Sequence, residues 1–201
     1  MASPVRRVPF IGLTGGLGAG KSEALRALGE LGAATLSTDE VAHEVLASER
    51  EAVVERLGPE VAPDGRVNRA LVAERVFGDD DARAWLEGLL WPRVGARVIE
   101  WRTEVEAARP APRAAVVEVP LLFESGMESV FDGTIAVVAE ESERERRAVA
   151  RGHAAVAGRE RRQLSQSEKS QKADYTVRND GTVEELKDVL SHLLATLESD
   201  S

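Results

Sequence analysis

The sequence predicts an α/β fold, a parallel sheet covered by helices on both faces. Three observations carry this. Short apolar runs recur at residues 8–14, 33–36, 114–119, 134–138 and 175–177, the length and composition of buried strands. Helical spacings of apolar residues separate them. The first strand, helix and second strand follow one another so closely that only a crossover between parallel strands fits.

The elements follow in order. Val8 to Thr14 reads as a buried strand, and glycines follow it. A helix runs from Lys21 to about Leu31, with Ala24, Leu25, Leu28 and Leu31 on one side and Gly32 as its stop. Ala33–Leu36 is the second strand, with Ser37-Thr38-Asp39 at its C-terminal end. From Asp39 to about Arg109 the pattern is almost wholly helical, too long for a crossover, and reads as a helical insertion on one edge of the sheet. Residues 108–113 form a linker. Ala114–Val119, ended by Pro120, and Thr134–Val138 are further strands. Residues 141–151 and 159–172 are charged helical stretches, and Tyr175-Thr176-Val177 is the last strand. Val183, Leu186, Leu190, Leu193 and Leu197 line the core face of a final helix from about Thr182 to Leu197.

The 201 residues suit one domain, or one domain with a sizeable insertion. Cysteine is absent, which excludes thiol nucleophiles, disulfides and Cys-ligated metals. No apolar run is long enough for a membrane-spanning helix or, near Met1, for a secretion signal. With 35 acidic against 26 basic residues the net charge is −9, unsuited to coating nucleic acid. Anion binding must come from local patches, and Arg144 to Arg162 is one.

The chemistry-bearing segment is Gly15-Gly16-Leu17-Gly18-Ala19-Gly20-Lys21-Ser22, which fits G-x-x-x-x-G-K-[ST] between a strand and a helix. Glycines let backbone N–H groups curl around a phosphate, and the helix N-terminus adds donors and partial positive charge. Lys21 suits the β- and γ-phosphates, and the Ser22 hydroxyl suits Mg²⁺. Glu23 follows in the first turn. Asp39 lies at the end of the second strand, where open α/β sheets bind ligands. It fits a base for an attacking hydroxyl, and Thr38 or Asp39 equally fits a helix cap. Of the arginines at 144, 146, 147, 151, 159, 161 and 162, most pair with neighbouring glutamates, and one or two suit transferring phosphate.

These segments resemble the dephospho-CoA kinases over nearly the whole chain. The resemblance rests on Ile11–Ser22, on Thr38-Asp39-Glu40-Val41-Ala42 and on Val119-Pro120-Leu121-Leu122-Phe123-Glu124. It also rests on Arg159, Gln163, Lys169, Ala173-Asp174 and Asn179-Asp180-Gly181. It implies a P-loop NTPase-type three-layer core with five parallel strands (residues 1–39, 110–140 and 173–201), a helical acceptor subdomain (40–109) and a lid (141–172). It implies transfer of the ATP γ-phosphoryl, with Mg²⁺, to the ribose 3′-hydroxyl of dephospho-CoA. By carry-over Asp39 is the general base. Lys21, Arg147 and Arg151 serve the transfer. Residues 15–23 and Asn179 hold ATP, Asn179 near the adenine, and Arg69, Leu121, Leu122 and Phe123 face the acceptor. A cytoplasmic monomer or weak homo-oligomer, without nucleic-acid or membrane partners, is implied as well.

Four positions depart from the family pattern: Ser37 and Asn68 stand for Asp, Trp91 for the His before Pro92, and Gly152 for Asp after Arg151. The competing reading is another small-molecule or nucleoside kinase with the same loop. A non-catalytic nucleotide-binding module is a further alternative, but Lys21 and Asp39 are both present. No guanine-reading Asn-Lys-x-Asp occurs. His43, His153 and His192 have no metal-ligand spacing, and Trp85, Trp91 and Trp101 read mainly as core.

Overall fold

The structure is a computed structural model that describes residues 7–150 and 163–199. In chain order the elements are β1 (Phe10–Gly15), α1 (Lys21–Glu30), β2 (Ala34–Ser37), α2 (Thr38–Ser48), α3 (Arg50–Leu57), a 3-10 turn (Pro59–Val61), α4 (Arg69–Val76) and α5 (Asp80–Ala107). There follow β3 (Ala115–Glu118), a 3-10 turn (Met127–Val130), β4 (Gly133–Val138), α6 (Glu141–Ala150), α7 (Gln166–Lys172), β5 (Tyr175–Arg178) and α8 (Val183–Ser199). The five strands lie where the apolar runs predict them, within one or two residues. The chain divides into two compact units, Met1–Leu36 with Arg102–Ser201, and Ser37–Trp101.

The first unit is built on a five-stranded parallel sheet in the order β2-β3-β1-β4-β5, with β1 paired to β3 and β4. The order reverses at β1, so the loop leaving β1 emerges where the sheet opens a crevice at its strand ends. Alternate residues of a strand face opposite sides. Ile11 and Leu13 join Val116, Ile135, Val137 and Val177 beneath Ala24, Ala27 and Leu28 of α1 and Leu186, Leu190 and Leu194 of α8. On the other side the Phe10 ring stacks on Phe131 at 4.8 Å and lies under the Arg102 guanidinium. A Cβ at Gly12 would come within 2.9 Å of the Phe131 ring, so glycine there lets that layer close on the strand.

Helix α1 stops at Gly32, whose φ of 95° is left-handed. The Gly32 amide bonds Gly29 O (3.1 Å) and the Ala33 amide bonds Leu28 O (3.0 Å), satisfying the last carbonyls.

The second unit is helical. Leu46, Val53, Leu57, Val61, Val72 and Ala82 form its buried centre, with Trp85, Leu86, Leu89 and Leu90 packed around it. Asn68 caps α4, its Oδ1 accepting from the amides of Ala70 (3.0 Å) and Leu71 (3.3 Å). The division falls at Ser37 and Trp101 rather than at residues 40 and 109. One cause is that α5 is a single helix running through Pro92, whose last turns carry Arg102 and Val105 into the first unit.

Leu190 is fully buried between α8 and the sheet. Leu190→Ala should cost about 2–5 kcal/mol of unfolding free energy, read from urea denaturation. A loss under about 1 kcal/mol would mean this face can collapse around the cavity.

Candidate active site

The loop from Gly16 to Gly20 joins β1 to α1, and its shape is set by where its carbonyls are held. Leu17 O accepts from Arg144 Nε (2.8 Å), and Ala19 O accepts from Asn179 Nδ2 (2.9 Å). Gly16 O accepts from the Ala19 amide (3.3 Å) and from Lys21 Nζ (3.1 Å). A trans peptide points its C=O and the next N–H in opposite directions. The Gly18 and Gly20 N–H groups therefore point away from Arg144 and Asn179. Gly20 caps α1 at φ 93°, and a Cβ there would lie 2.0 Å from Asn179 Nδ2. At Gly18 (φ 73°) a Cβ would lie 2.6 Å from the Arg144 carbonyl. With glycine at the cap, no side chain competes for the first N–H groups of α1, the arrangement that receives anions.

Lys21 opens α1 partly buried and Ser22 is exposed beside it. Glu23 turns along the helix to pair with Arg26, which also reaches Glu30.

Behind the loop, Asn179 is buried. Its amide bonds Val138 O (2.8 Å) and its carbonyl accepts from Arg147 Nη1 (2.9 Å). The Arg147 guanidinium lies 3.6 Å from Glu143. Asp180 accepts from the Glu140 amide (2.6 Å) and Arg178 Nε (3.0 Å), and the first of these leads in holding its carboxyl below the usual range. A cavity of about 390 Å³ is lined by residues 178–182 with Glu185, Leu186 and Val189. Arg151, Gly152, His153, Arg159, Arg161 and Arg162 lie outside the described residues.

In the second unit, Asp39 is exposed in the first turn of α2, 3.7 Å from Arg69 Nη2. The cap of α2 is Ser37, not Thr38 or Asp39, and no side chain bonds the helix end there. The Asp39 carboxylate is thus not used as a cap. Trp91 is 52% exposed and is not core. His43 is exposed, and His192 Nδ1 bonds its own helix at Asp188 O (2.7 Å).

The segment after β3 splits the expectation for Leu121, Leu122 and Phe123. Leu122 is fully buried and would touch a Cβ at Gly12, so its side chain packs in the core. Leu121 and Phe123 remain partly exposed.

Two supports have a burial that the sequence does not show. Arg144 looked like one arginine among many in a charged stretch, yet its side chain is 14% exposed and bonded to the loop. Lys169 is wholly buried, with Nζ 2.5 Å from Pro120 O and 3.1 Å from Glu124 Oε1. Burial lowers the Lys169 pKa, and the Glu124 carboxylate opposes that shift.

Comparison with known proteins bears on the chemistry. The model of the dephospho-CoA kinase family matches residues 9–185. A dephospho-CoA kinase of Protochlamydia amoebophila is 35% identical over 193 residues, 93% of this chain and 95% of that protein. One of Thermus thermophilus is 35% identical over 191 residues, 94% and 91% of the two chains. A crystal structure of a Thermus thermophilus protein superposes with a TM-score of 0.79 at 34% identity, covering 95% of this chain and 99% of that one. A dephospho-CoA kinase from Campylobacter jejuni shares the fold, with a TM-score of 0.65 at 20% identity, over 93% and 96%.

The Asn179 amide holds one loop carbonyl in place. Asn179→Ala leaves Ala19 O without that donor and should weaken ATP binding about tenfold by titration calorimetry. An affinity within about twofold of wild type would show that the loop keeps its shape unaided.

Proposed function

The chain belongs to the dephospho-CoA kinase family, and from that premise we propose how its residues divide the work. It is an ATP-dependent kinase whose acceptor is dephospho-CoA. The observation that carries the donor side is the glycine-capped start of α1, with loop carbonyls held outward and Lys21 folded over the loop. The triphosphate takes the loop N–H groups. Lys21 exchanges its bond to Gly16 O for the β- and γ-phosphates, a small movement for a flexible side chain.

Ser22 offers an exposed hydroxyl at the first turn, an oxygen donor of the kind Mg²⁺ takes beside phosphate oxygens and water. The residues present therefore fit that ion, which when bound neutralises charge developing on the phosphates. Glu23, engaged with Arg26, lies next to this position without an assigned ligand. The adenine takes the cavity beside Asn179-Asp180-Gly181. Asn179 acts there through its backbone neighbours, since its own amide is occupied.

The helical unit Ser37–Trp101 binds the acceptor, and Asp39 takes the proton of the 3′-hydroxyl as it attacks. This reading is supported by a carboxylate at the end of β2 that caps no helix and, among the described residues, has a long contact to Arg69. Arg69 both steadies Asp39 and offers a cation to an acceptor phosphate. Leu121 and Phe123 supply apolar contact to the acceptor. Arg147 frees its guanidinium from Asn179 O when phosphate arrives. Arg151, outside the described residues, is assigned to the transfer on the family resemblance alone. The chain works in the cytoplasm, which its lack of cysteine suits, as a monomer or weak homo-oligomer without nucleic-acid partners. Among the described residues the large exposed apolar side chains, Phe77, Trp91, Ile99 and Val189, are dispersed along the sequence.

The test is an ATP-coupled assay of the purified chain over dephospho-CoA, adenosine, pantetheine phosphate and shikimate. Turnover should be confined to dephospho-CoA, and preference for another acceptor would overturn the assignment. Asp39→Asn should keep ATP affinity and lose transfer by roughly 10²-fold or more, because an amide cannot take the proton. A turnover number unchanged in that variant would remove Asp39 from the chemistry.

A further inference from the structure

Lys169 presents an unusual problem. A wholly buried ammonium is costly, and the phosphate chemistry proposed above does not use it. Its contacts come from two segments of the first unit, the end of β1 and residues 120–124. Nζ donates to Pro120 O at 2.5 Å, meets Glu124 Oε1 at 3.1 Å and lies 3.5 Å from Thr14 Oγ1. Thr14 itself donates to Pro120 O at 3.3 Å. Glu124 Oε1 also accepts from the Leu164 amide at 2.8 Å, while Oε2 is buried without a partner among the described residues.

Both ends of Pro120–Glu124 are thus fastened to one ammonium, with Leu121 and Phe123 between them. The phosphate loop has its own fastenings at Leu17 and Ala19, which do not involve Lys169. We propose that Lys169 is a positioning residue for phosphoryl transfer, acting with Glu124 to hold residues 120–124 in the form that receives the acceptor rather than to bind ATP. The inference rests on the assignment of Leu121 and Phe123 to the acceptor.

A buried pair kept only for folding can be replaced by neutral groups of similar volume with little loss. A pair kept for positioning cannot. The discriminating protein is the full chain carrying Lys169→Met with Glu124→Gln, in which no buried charge is orphaned and an amide oxygen still faces Leu164. The expected result is an ATP dissociation constant within about twofold of wild type, with kcat/KM for dephospho-CoA lower by roughly 10- to 100-fold. A kcat/KM for dephospho-CoA within about twofold overturns the proposal, as does an equal loss of ATP affinity, which would place the effect in the phosphate loop. Should the double variant fail to fold, Glu124→Gln alone is read in the same way. It should lower acceptor kcat/KM and spare ATP binding, and unchanged kinetics overturn the proposal. Wild-type protein is assayed alongside. If it is inert toward dephospho-CoA, the function reading falls and this inference with it. An active wild type with an equally active variant overturns this inference alone.

Discussion

The rigidity of the peptide plane is the constraint on which the site depends. A loop can turn N–H groups toward an anion only if its carbonyls find donors on the opposite side. Here those donors are Arg144 for Leu17 and Asn179 for Ala19. The need for both close approaches explains the glycines: a Cβ at Gly18 would strike the Arg144 backbone, and one at Gly20 the Asn179 side-chain amide that holds the preceding carbonyl. The loop is therefore shaped from outside, by side chains of α6 and of the turn after β5, before any ligand enters.

This arrangement reconciles a net charge of −9 with a site for a polyanion. Attraction at long range is not required when oriented dipoles and a few cations act at close quarters. Arg144 has a largely buried side chain engaged with a backbone carbonyl, so its rotamer entropy is already spent in the free protein. The net negative charge discourages nonspecific polyanions.

Sequence legibility follows from which features are local. The five strands were readable because each is a brief apolar run bounded by breakers, and the loop because its glycine spacing has a direct steric cause. The α2 cap, expected at Thr38 or Asp39, falls at Ser37 because all three residue types suit the position and only the backbone decides among them. Leu122 was grouped with its neighbours because a contiguous motif does not reveal which side chain turns inward. The burial of Arg144 and Lys169 was hidden for a deeper reason. In a charged helix every cation looks solvated, and burial is decided by partners far away in sequence, such as Leu17 for Arg144 and Pro120 for Lys169.

The presence of a lysine rather than an apolar residue at position 169 has a physical reason in the backbone. Pro120 ends a buried strand segment, and its carbonyl lies where the sheet ladder no longer supplies a donor. The nearby Thr14 hydroxyl offers one long bond. An apolar side chain would fill the volume but leave that carbonyl poorly satisfied, whereas an ammonium brings three donors that can be shared among Pro120, Glu124 and Thr14. The charge then requires its own counterion, and Glu124 provides it from the far end of the same segment. One buried cation thereby satisfies a carbonyl and closes the segment on itself, which a neutral core could not do with a single residue.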